Sequence, residues 1–299
     1  MKLSLLLPLI AASLTFIALS ATPDHLHAQS LDDHPNTHVL SETEVEYNFV
    51  RTRTCGGPEG RPCTEGRHPI PLEWSVRRIE YRINERGSDD FHPDSDEISD
   101  ELQDAVIDSF ETWNEPECSD FLMDFAGLTT SDHIGYRQNE GGNENIIVWR
   151  DDAWEYSGQA VGLTTVTYNS NNGEIFDADI ELNTADHDFT DSDSDVRIDL
   201  RNTLTHEVGH FLGLDHSLTE PGATMWFSTD SGETQKRHLH EADIAGLCYI
   251  YPEGEESELK SDDDGASRCA LVGAPNSTTP ALLLLTLLGL FLLRRRSPR

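Results

Sequence analysis

"LTHEVGHFLGLDHS", Leu204 to Ser217, sets three histidines, one glutamate and two glycines into a single short stretch. On a helix, His206 and His210 are four residues apart and stand one above the other on the same face. Two imidazole nitrogens can then reach one metal ion. Leu200, Leu204, Val208, Phe211 and Leu212 can face the core and hold the helix rigid. Gly213 ends it, because glycine readily takes the left-handed conformation that a sharp turn needs. The chain swings back and His216 arrives as a third nitrogen. Three neutral imidazoles plus water make an open tetrahedral zinc site, the arrangement of a catalytic rather than a structural ion. Glu207 directly follows the first ligand and is left for the water: zinc lowers the water's pKa towards about 7, and Glu207 takes its proton as general base and passes it to a leaving amine. The chemistry expected is peptide-bond hydrolysis. A bare H-E-x-x-H also fits a buried histidine pair satisfied by hydrogen bonds. The full H-E-x-x-H-x-x-G-x-x-H fixes three ligands, the base and the turning glycine together.

Around this stretch the chain alternates strand and helix signals. "RRIEYRI" alternates Ile79, Tyr81 and Ile83 and reads as a strand. In "DSDEISDELQDAVIDSFETWNE", Ile98, Leu102, Ala105, Val106, Phe110 and Trp113 recur at helical spacing, with Asp94 and Glu97 as candidate caps. "FLMDFAG", "NIIVW", "AVGLTTVTY" and "DADIELN" read as strands, residues 197–213 as a second helix, and "LHEADIAGLCYIY" as a third. That order is α+β or α/β, and it places one domain over residues 72–252. Residues 21–71 read as a linker or short pro-segment with a cysteine loop, and 253–280 as an acidic linker.

The motif "HEVGHFLGLDHS" resembles the zinc-binding helix of the matrixins, within the metzincin metalloproteases. "ATMW" supplies Met225 where metzincins have a methionine turn. "LHEADIAGLCYIY", with Asp243, Ile244 and Gly246, resembles the closing helix, and "GEIFDADIELN" the strand before the zinc helix. The resemblance implies a zincin fold: a twisted, mostly parallel five-stranded sheet with one antiparallel edge strand and three main helices. The edge strand would be "AVGLTTVTY", with substrate extended along it. The wall of the specificity pocket would come from "WFSTDSGETQKR". It implies zinc on His206, His210 and His216, with Glu207 catalytic and Met225 supporting the site. Matrixins often hold a second zinc through a histidine where this chain has Ile175, so that ion is not expected. Calcium is a further candidate cofactor: Asp177, Glu181 and the acidic loop Asp186 to Asp195 offer oxygens suited to a hard cation. A solvated acidic loop is the other reading. "RTCGGPEG" resembles the matrixin cysteine switch at Cys55, Gly56 and Pro58, with Glu59 as the acid. The preceding Pro-Arg is absent, and Cys63 lies nearby as a disulfide partner.

A formal charge of −34 disfavours nucleic acid and anionic membranes as partners. Residues 1–20 read as a cleaved signal peptide, with an uncleaved anchor as the alternative. The apolar run from Ala281 to Leu293 would span only about 20 Å as a helix, against a hydrocarbon slab of about 30 Å. With Cys269, a polar spacer and Arg294 to Arg296, the segment 281–299 resembles the myxobacterial C-terminal sorting signals; a simple tail anchor is the alternative. Setting Cys269 aside leaves four cysteines, and an even number in an exported chain suggests two disulfides; the count does not fix their connectivity, and Cys55 with Cys63 and Cys118 with Cys248 is the pairing put forward. The reading is therefore an exported, monomeric zinc endopeptidase at the cell surface or outside the cell. It acts on protein or peptide substrates and meets membrane only through its tail before processing. The rival reading is a surface binding or adhesion module that keeps the fold without turnover.

Overall fold

The computed structural model describes residues 11–17, 20–21, 41–55, 63, 68–91, 97–137 and 142–254. The acidic linker beyond Gly254, Cys269 and the C-terminal sorting or anchor segment lie outside these residues, as do residues 1–10 of the expected signal peptide and Asp94.

A single mixed sheet organises the domain. Its strands are β1 (Ala11–Ile17), β2 (Glu73–Trp74), β3 (Arg78–Asn84), β4 (Leu122–Thr129), β5 (Asn145–Trp149), β6 (Gly162–Asn169) and β7 (Glu174–Leu182). They lie in the order β1-β6-β7-β5-β3-β4, with β2 also paired to β7. Strands β4, β3, β5 and β7 run parallel, and β6 returns antiparallel to β7. These five are the expected strands, and β6 is the expected antiparallel one. In the full chain β6 is not outermost, because Ala11–Ile17 pairs antiparallel along it, Ala11 opposite Asn169 and Ile17 opposite Leu163.

The strands follow from period-two patterning. In β3 the buried residues alternate as Ile79, Tyr81 and Ile83. In β7 one face carries Ala178, Ile180 and Leu182, and the other Asp177, Asp179 and Glu181. Both faces are buried, because the loop before β5 covers the carboxylate face: Gly135 N donates to Asp179 at 2.6 Å, and Asn143 Nδ2 to Asp177 at 2.8 Å.

Four helices complete the domain: α1 (Glu42–Tyr47), α2 (Asp100–Asn114), α3 (Leu200–Phe211) and α4 (Glu241–Ile250). Helix α2 starts later than Asp94 and Glu97 suggest; Ser99 caps it by accepting from Leu102 N at 3.1 Å. Helix α3 is shorter than 197–213. Asp199 caps its start through Asn202 N at 2.8 Å, and the two residues before Leu200 pair as a short strand with Phe189–Thr190. The core couples α2 and α3 to the sheet through aromatic contacts. Tyr81 stacks on Phe110 at 3.7 Å, and Phe110 meets Phe211 edge-on at 5.7 Å. Trp113 Nε1 donates to Thr205 O at 2.8 Å, so α2 grips the very turn of α3 that carries His206.

Disulfides join Cys55 to Cys63 and Cys118 to Cys248, the pairing put forward among those that four cysteines allow. With Cys55 bonded to Cys63, this structure holds the disulfide and not the switch thiolate. The second bridge fastens α4 to the segment after α2. Helix α1 and residues 50–55, read from sequence as linker or pro-segment, pack against the domain and bury Phe49 and Val50.

Candidate active site

Helix α3 places His206 and His210 one turn apart, and both are fully buried. The helix then stops at Leu212. Gly213 takes φ 93°, and a Cβ there would lie 2.6 Å from Leu72 O, so both the left-handed turn and the close approach require glycine. After Leu214–Asp215 the chain delivers His216. Its Nε2 lies 3.3 Å from His206 Nε2 and 3.2 Å from His210 Nε2. Among the described residues this trio forms the single group of three or more metal-ligating side chains with atoms within 4.8 Å of one another.

The outer nitrogens explain why the inner ones converge. His206 Nδ1 is 2.6 Å from Thr224 O, and His210 Nδ1 is 2.9 Å from Leu214 O. A carbonyl only accepts, so both Nδ1 atoms carry the proton and both Nε2 atoms offer lone pairs. Burial pushes His210 down to about 3 and His206 well below the usual histidine range, so both rings are neutral. Lone pairs this close repel one another unless a cation sits between them. Zinc–nitrogen bonds of about 2.0–2.1 Å at tetrahedral angles set nitrogens about 3.3–3.4 Å apart. The observed spacings of 3.2 and 3.3 Å fit that ion.

Glu207 is fully buried beside the trio. Thr164, in β6, donates through Oγ1 to Glu207 Oε2 at 2.6 Å, and Oε1 has no hydrogen-bond partner among the described residues. Burial pushes the carboxyl up to about 8, and the Thr164 hydrogen bond pulls the other way. Met225 is buried against Gly209, where a Cβ would lie 2.1 Å from its Sδ, so the H-E-x-x-H helix needs glycine at that position to admit the methionine. Asp243 of α4 clamps the turn by accepting from Thr224 N at 2.7 Å and Met225 N at 3.1 Å. That bond also aims the Thr224 residue whose carbonyl holds His206. Sequence reading alone misses Thr164 and Thr224. It finds Asp243 only by family likeness.

The model of the matrixin family matches residues 73–252, which is more than half of the chain. This chain belongs to the matrixins. It is 26% identical over 193 residues to metalloendoproteinase 1-MMP of Arabidopsis thaliana, covering 64% of this chain and 47% of the relative. It is 26% identical over 210 residues to neutrophil collagenase of Homo sapiens, covering 70% of this chain and 39% of that protein. A shorter match, 35% over 75 residues, relates it to human matrilysin, with 25% of this chain and 27% of the relative covered. The chain thus spans about half or less of the length of these curated relatives. The sheet order and helices agree with the matrixin fold, and the family implies zinc dependence and a metalloendopeptidase class of activity.

Several of the oxygens considered for calcium have other partners. Glu181 pairs with Arg150 at 2.7 Å and accepts from Tyr156 at 3.1 Å. The acidic loop is pinned by arginines: Asp188 to Arg197, Asp191 to Arg201 at 2.9 Å, and Asp193 to Arg237 at 2.8 Å.

Proposed function

We propose that this matrixin is an exported zinc endopeptidase that cleaves peptide bonds in protein or peptide substrates. His206, His210 and His216 would hold the ion, and Glu207 would act as the catalytic base. The observation that carries the reading is the convergence of three buried imidazoles, with the outer nitrogens of His206 and His210 tied to backbone carbonyls. Zinc held there supplies Lewis acidity towards a peptide carbonyl and makes a bound water acidic at neutral pH. The chain's own residues do the rest. A cation held by the trio would draw the Glu207 carboxyl below the value that burial alone gives it; Glu207 would then take a proton on Oε1 and return it to the leaving amine, while Thr164 fixes the other oxygen. Met225 and Gly209 keep the ligand helix from shifting under load.

Substrate would lie extended and antiparallel along β6. In support, the chain's own residues 11–17 pair with β6 in that sense. Trp226 and Phe227, which follow the methionine turn with ring centroids 4.6 Å apart, would wall the pocket beyond the scissile bond. Export and display or release at the cell surface rest on the leader-like N-terminus, the tail and the two disulfides.

The test is casein hydrolysis by purified protein. Activity is expected to vanish on chelation, to return with zinc, and to be lost in Glu207→Ala while zinc stays bound. Zinc-loaded wild-type protein that cleaves nothing, with Glu207→Ala indistinguishable from it in every assay, would instead support the silent binding module.

A further inference from the structure

The turn that carries His216 exposes four successive carbonyls, from Phe211 to Leu214, at the end of α3. A helix end leaves such groups without intrahelical partners. Trp74 Nε1 takes Phe211 O at 2.9 Å and the Tyr251 hydroxyl takes Leu212 O at 2.9 Å. The other two go to one residue far upstream: Thr52 N donates to Gly213 O at 2.8 Å, and Thr52 Oγ1 to Leu214 O at 3.0 Å. Leu214 O is also the acceptor that orients His210 Nδ1, so a single oxygen joins Thr52 to a metal-ligating ring. Next to it, Val50 and Arg51 pair antiparallel with Asp215 and Leu214, the residues leading into His216.

The upstream segment is itself firmly seated. Glu44 is buried and accepts from Arg51 N at 2.9 Å, from Arg53 Nη2 at 2.6 Å and from Ser41 N at 2.7 Å. Arg51 reaches Leu72 O at 3.0 Å and Glu73 at 2.7 Å, and Leu72 N returns a bond to Thr52 O at 2.8 Å. Phe49 packs against Tyr249 of α4 at 5.4 Å. A segment that is shed on activation covers a site and leaves it competent. This one supplies the strand and the donors that shape the site.

We propose that residues Ser41–Arg53 are a permanent part of the metal centre, with Thr52 as the positioning residue that sets the Leu214 carbonyl and hence His210 and the turn to His216. The segment stays in the working enzyme, and any maturation cut falls before Ser41. The proposal rests on the zinc reading above: wild-type protein that takes up no zinc defeats that reading, whereas the outcomes below defeat this one alone.

The test replaces Thr52 in the full chain and reads zinc affinity by competition with a chelating indicator, the absorption bands of the cobalt-substituted protein, and kcat and KM. Thr52→Val is expected to weaken zinc about tenfold or more, as loss of a bond behind a ligand does. It should also shift the cobalt bands and lower kcat with little change in KM, while Thr52→Ser restores all three. A folded Thr52→Val with wild-type zinc affinity and cobalt bands overturns the proposal, and so does Thr52→Ser failing alongside it. N-terminal sequencing of active, zinc-loaded protein decides independently of any variant: a start at or before Ser41 supports the proposal, and a start after Ser41 overturns it.

Discussion

Two clusters of like ionisable groups are buried in this domain, and they solve the same electrostatic problem differently. His206, His210 and His216 converge at the end of α3, and Asp177 and Asp179 stand side by side on β7. In the first, backbone carbonyls hold the outer nitrogens, so the lone pairs meet in the middle. In the second, backbone and amide donors already take the oxygens: Asp179 accepts from Gly135 N and Ile146 N, and Asp177 from Asn143. What remains between the carboxyls is repulsion, and a shared proton relieves it. Burial, with Asp177 as its charged neighbour, raises Asp179 well above the usual carboxylate range, and burial pushes Asp177 up to about 6. The histidine cluster calls for a cation, whereas the aspartate cluster needs only a proton. Partners outside the cluster decide which.

The largest expected effect comes from breaking the first cluster. His216→Ala removes a ligand and not merely its support. Zinc affinity should fall beyond the roughly 10–100-fold that losing a supporting hydrogen bond costs, and proteolysis should stop. Metal analysis and casein cleavage check this, and a fully active, zinc-loaded His216→Ala protein would contradict it. The intact clusters should also differ towards metals. Zinc at a thousand times its dissociation constant stabilises by about 4 kcal/mol, so melting should rise clearly with zinc. Calcium should leave it in place, since Arg150 already occupies the Glu181 carboxylate. Calorimetry with each ion separates the two, and a calcium-dependent rise would reopen the acidic loop as a cation site.

The histidine cluster was legible because its logic is local: a four-residue step on a helix, then a glycine that turns the chain, then the third ring. The β7 carboxylates were legible as an alternation, but not as a buried pair, because burial depends on the loop that carries Gly135 and Asn143. The threonine supports of the site were not legible at all. Thr164 reads as an ordinary strand residue, and Thr52 lies 162 positions from the carbonyl it holds. Hydrogen bonds across such separations leave no periodicity in the chain. The cap of α2 shows a milder form: Asp94 and Glu97 suit a helix start in the sequence, yet the helix begins after Ser99, whose side chain accepts from Leu102 N.

A smaller effect should follow from loosening the base without touching the ligands. Thr164→Val keeps a β-branched residue in β6 and removes the donor to Glu207 Oε2. Hydrogen bonds to charged groups contribute about 1.5–3 kcal/mol, so kcat should drop about tenfold to a hundredfold with zinc content unchanged. Steady-state kinetics beside metal analysis would show it. Loss of zinc together with rate would mean that Thr164 supports the ligand helix instead.

The smallest effect tests the second cluster, and its sign is the informative part. Folded Asp177 holds its proton up to about pH 6, while an unfolded aspartate loses it near 3.8. Between those values the folded state binds more protons, so the pair's contribution to stability is fully present below the lower value and declines as pH rises through the upper one. Asp177→Asn places an amide where the shared proton sits, with its oxygen still able to accept from Asn143. At pH 7.5 the variant should be the more stable protein, with the higher melting temperature. At pH 4 the advantage should vanish. Melting curves for both proteins across this range check the slope, and a variant less stable at pH 7.5 than at pH 4, relative to wild type, would show that the carboxyls are held by something other than a proton.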